Sequence, residues 1–451
     1  MIKEADKSFY KMVIALVLPM ALQNLINVAV TSADVVMLGK VSETALSASS
    51  LAGQVQFIMT LFFFGITSGA AVLTAQYWGK KDTRSIEKIL GIALRIGIIV
   101  SVLFTSVVLI FTKQVMSLFT KEQDVIAEGI KYLRIIAPSY IMCAISMVYL
   151  NIMRSVERVM ISTVVYLVSL VLNVILNSIF IFGLFGFPRL ETEGAALASL
   201  CARAIELIIV MVYAKRCNKT VGLHLKDVVV RDVQLFKDFM RYALPVIVNE
   251  LFWGAACAMN TVIIGHIGKS VVAANSVAQV ARQLATVIAF GIANAAAIMI
   301  GKAIGEDNQA KARSYGKKFI GLSMCAGILG AFTILFIVRP IALSSLELTS
   351  NAQEYLKVML FVMSYFVIAQ AMNTTFIVGI FRAGGDTKFG LIIDVATMWG
   401  GSILLGALAA FVFKLPVPIV YVLLMCDELI KLPLTFWRYK QMKWLKNVTR
   451  I

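Results

Sequence analysis

Charge is what this chain of 451 residues is short of: Asp, Glu, Lys and Arg make up 15% of it. A soluble domain carries roughly a quarter of its residues charged. Histidine is scarcer still. The two present, His224 and His266, leave little material for imidazole-based catalysis. The six cysteines (Cys143, Cys201, Cys217, Cys257, Cys325 and Cys426) show no Cys-x-x-Cys spacing and stand mostly inside apolar stretches. Neither a disulfide frame nor a metal site is therefore indicated. The short alternating segments of an outer-membrane barrel are missing as well.

What the chain does have is apolar length. It is 60% hydrophobic, with a mean hydropathy of +0.87. The charges sit in islands between apolar stretches that exceed the roughly 18 residues needed to cross a bilayer. Inside lipid such stretches must be helical, because each backbone N–H and C=O needs a partner within the segment. Twelve are predicted, near 12–37, 50–77, 89–112, 132–153, 159–184, 194–214, 242–265, 276–302, 318–340, 355–381, 389–413 and 417–437. The run from Met12 to Leu38 is too long for a signal-peptide core and reads as the first span.

Basic residues set the expected orientation. The N-terminus, the even-numbered connections and the C-terminus hold about 28 Lys and Arg, against about 9 in the odd connections. Both termini are thus expected in the cytoplasm, with the chain a multi-pass protein of the inner (plasma) membrane. The net charge of +17 is spread through these loops and not gathered on one face, so no nucleic-acid partner is expected.

The two halves repeat each other. Leu18-Pro19 matches Leu244-Pro245, an offset of 245 − 19 = 226. The same offset carries Gly39 onto Gly265, Phe64-Gly65-Ile66 onto Phe290-Gly291-Ile292, and Gly79 onto Gly305. With small drifts, Arg154 matches Arg382 and Cys201 matches Cys426. An even number of spans per copy makes the repeats parallel, a design that places a cavity between two six-helix lobes. The expected division is an N-terminal lobe at 1–220, a cytoplasmic linker at 221–238 and a C-terminal lobe at 239–451.

Ionisable residues inside spans are costly and mark candidate sites. Asp34 stands about three-quarters along the first span, with no Lys or Arg three or four residues away. It reads as a carboxyl that takes up and releases a proton, the alternative being a wetted helix end beside Lys40. Its repeat partner is Asn260. Glu250, preceded by Asn249, lies deeper in the seventh span. It is a candidate for binding a cationic substrate or the coupling ion, or else for a satisfied interhelical bond. Asp394 is a lesser candidate, close to the basic end at Lys388. Arg203/Glu206 and Glu428/Lys431 are spaced to neutralise each other within one helix, which leaves Asp427 over.

The pattern resembles the multidrug and toxic compound extrusion (MATE) transporters along essentially the whole chain. The likeness rests on the two six-helix halves, Asp34-Val-Val-Met-Leu-Gly39, Gly65 through Gly79, Gly194-Ala-Ala-Leu-Ala-Ser199 and Arg382-Ala-Gly-Gly-Asp386-Thr. It implies an all-α integral membrane protein, a two-lobed, V-shaped transporter of twelve helices and not an enzyme. Small organic cations would leave as H⁺ or Na⁺ enters. By the same likeness Asp34 falls on the coupling-ion carboxylate, and Asn173 and Asn177 fall on an Asn-x-x-x-Asp pair whose acid is an amide here. The acid some members carry in the tenth span is absent, with Met372-Asn373 in its place. No cofactor, no resident metal and no catalytic residue are expected, and the protein is taken as a monomer among membrane lipids. The alternative is a flippase of lipid-linked oligosaccharide or another lipid-like substrate.

Overall fold

The structure is a computed structural model that describes residues 2–218, 220–223, 228, 232–345 and 349–450, with side chains except at 2–6, Thr31 and Ser345. The expected linker, 221–238, and His224 lie partly or wholly outside these residues. The described residues form helices and connections, without a strand. In the first half the main helices are α1 (Ile2–Gly39), α2 (Glu43–Gly79), α3 (Thr83–Ile110), α4 (Gln123–Ile136), α5 (Ser139–Ser155), α6 (Val159–Phe182) and α7 (Glu191–Cys217). In the second they are α8 (Val233–Ile267), α9 (Lys269–Gly305), α10 (Gln309–Ser344), α11 (Ser350–Phe381), α12 (Thr387–Val412), α13 (Val417–Leu424) and α14 (Asp427–Lys440).

Among the described residues ten helices are long and apolar enough to cross a membrane, or eleven when α4 and α5 count as one span bent by 53°. That bend falls at Pro138, which removes a backbone donor. The predicted twelfth span is two short helices, α13 and α14, broken at Met425–Cys426. Asp427, Glu428 and Lys431 follow the break, so no single long apolar helix forms there.

The internal repeat is visible in the backbone. Lys81 and Asp307, 226 residues apart, both take positive φ, +61° and +55°. The next residue in each copy, Asp82 or Asn308, caps the following helix by accepting from the N–H three residues on, at 3.0 Å in both. Glu157 and Gly385 repeat the positive φ, without the side-chain cap, at the offset of Arg154 and Arg382, with φ of +63° and +76°.

Contacts divide the chain into two compact units. One comprises Leu22–Ala70 and Asp82–Met240; the other comprises Met1–Ala21, Ala71–Lys81 and Arg241–Ile451. Within the latter, Leu360 and Val367 of α11, Tyr421 of α13 and Ala274 of α9 belong to one buried cluster. Lipid removes the hydrophobic drive for helix association, so close van der Waals packing through small residues carries it. Such packing brings α2 and α9 together at their basic ends. A Cβ on Gly79 would overlap the Lys302 carbonyl, and one on Gly305 would overlap the Gln76 carbonyl. Because 79 + 226 = 305 and 76 + 226 = 302, this is one contact made twice. Gly305→Ala is expected to destabilise the protein by about 1–3 kcal/mol through overpacking. A monodisperse size-exclusion peak in detergent with unchanged yield and melting point would refute that.

Candidate functional site

In the unit holding most of the first half, the polar residues of the membrane helices form a chain. Asn177 of α6 donates from Nδ2 to Asp34 Oδ1 of α1 at 2.5 Å and to Asn173 Oδ1 at 3.1 Å. Asn173 in turn donates to Ser199 Oγ of α7 at 3.2 Å. Residues 173 and 177 are four apart, so they share one helical face. Both are buried, and Asp34 is half-buried at the end of the chain. The three residues singled out on this side therefore meet in one place. Both hydrogens of the Asn177 amide are used, while its Oδ1 is buried without a hydrogen-bond partner. A carboxyl and an orphaned amide oxygen at one buried spot can take a proton or a small cation, either of which would relieve the unmet acceptor.

Eleven residues towards the other end of α1, Gln23 donates to Thr163 of α6 at 2.7 Å, also buried. Its repeat counterpart Asn249 (23 + 226 = 249) makes the equivalent inter-span bond, Nδ2 to Asp394 Oδ2 of α12 at 2.8 Å. Arg203 and Glu206 of α7 pair at 2.8 Å within their own helix, as their spacing requires, with Glu206 buried.

The other unit holds a denser charge network. Glu250, without an adjacent cation on its own helix, is met by Arg382 just past α11 at 2.7 Å, so the satisfied interhelical bond is the arrangement present. Asp394 is paired as well: Lys431 Nζ lies 2.7 Å from Asp394, 3.3 Å from Glu428 and 3.9 Å from Asp427. Asn373, the amide in the tenth span, donates to Glu428 Oε2 at 2.7 Å. The Glu428/Lys431 pair anticipated from spacing exists, but Lys431 links α14 to α12 and is not neutralised by Glu428 alone. Three carboxylates facing one ammonium leave an excess of two negative charges, which a buried site holds only with protons or cations from outside. The carboxylates are spread around the ammonium and are not grouped to hold a metal ion. Asn260, the counterpart of Asp34, is not drawn into this network, and its Oδ1 is buried without a partner.

Sequence reasoning missed two roles here. Arg382 was legible only as a repeat position and part of a motif, and Lys431 only as half of an intrahelical pair. The excess of acids over bases among Asp394, Asp427 and Glu428 was the available signal for Lys431.

The MatE family model matches residues 19–179 and 245–408. The chain belongs to the MatE family. The matched segments begin at Pro19 and Pro245, which are 226 residues apart, the offset read from the repeat. This MatE chain is 26% identical over 401 residues to the "Probable multidrug resistance protein NorM" of Rhizobium meliloti (strain 1021), covering 87% of this chain and 84% of that one. It is 22% identical over 456 residues to the "Probable multidrug resistance protein YoeA" of Bacillus subtilis (strain 168), covering 100% and 97%. A solved structure described as "Crystal structure of MATE in the bent conformation" shares its fold with a TM-score of 0.87, 17% identity and coverage of 97% and 96%. So does a transporter of the MOP superfamily from Pyrococcus furiosus, with a TM-score of 0.86, 19% identity and 96% coverage of each chain. The chain is thus a multi-pass membrane transporter of the MATE type.

Proposed function

We propose that this MatE transporter is a secondary active antiporter that exports cationic or amphipathic organic compounds in exchange for H⁺ or Na⁺. The observation that carries the reading is the Asp34–Asn177–Asn173 chain: an acid inside a membrane span, in contact with an amide whose remaining acceptor is empty. The names of the NorM and YoeA relatives support multidrug compounds as the cargo. In the cycle, an ion arriving from outside loads Asp34 and displaces the substrate. The cavity then turns inward, the ion leaves, and a new substrate binds. Asn249, Glu250, Asn260 and Asp394 supply polar groups on the second-half side. The termini lie in the cytoplasm, and a monomer working without a cofactor suffices.

A flippase of lipid-linked oligosaccharide would need Arg and Lys free to hold a pyrophosphate. Arg203, Arg382 and Lys431 are each engaged with a carboxylate, which favours export of cations.

The deciding test is ethidium efflux from energised vesicles, with proton and sodium gradients imposed one at a time. Efflux driven by one gradient is the expected result and names the ion. Silence under both would overturn multidrug antiport and bring the flippase forward.

A further inference from the structure

The segment after α14, residues 441–450, contains no regular helix, yet it is held along its length. Trp444 is fully buried: it stacks on Tyr439, with ring centroids 5.6 Å apart and planes 9° from parallel, and its Nε1 donates to the Tyr439 carbonyl. The Arg382-Ala-Gly-Gly-Asp386 loop is shaped to receive the segment. A Cβ on Gly384 would overlap the Trp444 carbonyl, and Gly385, at φ +76°, would bring a Cβ to 2.6 Å from Val448. Arg438 fixes the loop by donating twice to Asp386, at 2.8 and 3.0 Å. Asn447 donates to Asp307, just past the end of α9.

From this anchorage the segment grips α2. Gln76, fully buried, uses both hydrogens of its amide and the amide oxygen there. Its Nε2 donates to the Ala383 carbonyl at 2.7 Å and the Lys446 carbonyl at 3.1 Å, and its Oε1 accepts from the Val448 N–H at 2.8 Å. One turn on, Lys80 donates to the Arg450 carbonyl at 2.9 Å, and the Arg450 N–H donates to the Tyr77 hydroxyl at 3.3 Å. The grip therefore falls on the same turn of α2 that crosses α9 through Gly79 and Gly305.

We propose that residues 441–450 are a latch that holds the α2–α9 crossing shut, and that release of Gln76, Tyr77 and Lys80 from the latch is a step of the transport cycle. The inference rests on the antiport reading only in requiring a cycle that opens and closes. Four hydrogen bonds between the segment and residues 76–80 are enough to bias a closed state, yet each is modest enough to be given up. Most of them end on backbone groups of the segment, so the latch depends on its path and little on its side chains.

The test uses full-length protein with its six native cysteines replaced and its ethidium efflux first confirmed. Gln76→Cys and Val448→Cys are joined by a short methanethiosulfonate cross-linker that dithiothreitol removes. Efflux is expected to stop on linking and to return on reduction. Efflux at the unlinked rate with the link in place would overturn the latch. A second arm follows maleimide labelling of Val448→Cys alone. Imposing the driving gradient should speed labelling, and adding Gln76→Ala should raise the resting rate about ten-fold, since buried hydrogen bonds are lost. Labelling that ignores both would also overturn it. If the unlinked protein moves no ethidium, the antiport reading fails by itself, and the labelling arm still judges the latch.

Discussion

Replacing Asp34 with asparagine is expected to abolish gradient-driven efflux while leaving the protein folded and able to bind substrate. The structure explains why the two properties separate. Asn177 reaches Asp34 with an N–H, and an asparagine at position 34 can still accept that bond through its own Oδ1. What it cannot do is gain or lose a proton, or present a negative charge to a cation. A membrane potential of 100 mV supplies about 2.3 kcal/mol per charge moved, a concentration ratio of roughly forty-fold. The variant should lose that factor and fall to the passive leak. Efflux from vesicles, with binding followed separately by fluorescence, checks both halves. An Asp34→Asn protein that still concentrates ethidium against its gradient would remove Asp34 from the coupling step.

The second large effect is expected at Lys431. This ammonium is buried among three carboxylates on two helices. Substituting methionine keeps most of the volume and removes the cation that pairs with Asp394, Asp427 and Glu428. Breaking a buried ion pair from one side costs about 3–5 kcal/mol, because the partner charge stays behind without compensation. Lys431→Met is thus expected to lower the melting temperature in detergent and the yield of folded protein. Adding Asp394→Asn should recover part of the loss, since it withdraws the carboxylate lying closest to the ammonium. If Lys431→Met melted with the parent, the carboxylates would have to be held neutral without the lysine, and the network would not be a structural tie. Glu250 and Arg382 form a separate pair, so the same measurement on Arg382→Met reports on it independently.

Much of the candidate site on the first-half side was legible. The acid at position 34 stood out because an ionisable group is rare inside an apolar run, and Asn173 and Asn177 stood out through the resemblance to the MATE transporters. That Asn177 bonds both Asp34 and Asn173 is visible only in the fold. The second-half side was less legible for a physical reason. Buried charges in lipid find partners on other helices, and the sequence displays only the neighbours along each helix. Glu250 looked unpaired because its cation is 132 residues away, and Lys431 looked self-paired because Glu428 is three residues away.

The sequence by itself determined the membrane class, the helical state of the spans and the parallel duplication at offset 226. The first two follow from apolar length and the backbone's need for internal hydrogen bonds, and the third from residues matched at a constant offset. Only the tertiary structure decided which charges neutralise which and where α13 and α14 part. It also decided that Gln76 answers a segment some 370 residues later. Those depend on which helix faces come into contact, and pairing between distant segments leaves no periodic trace in the sequence.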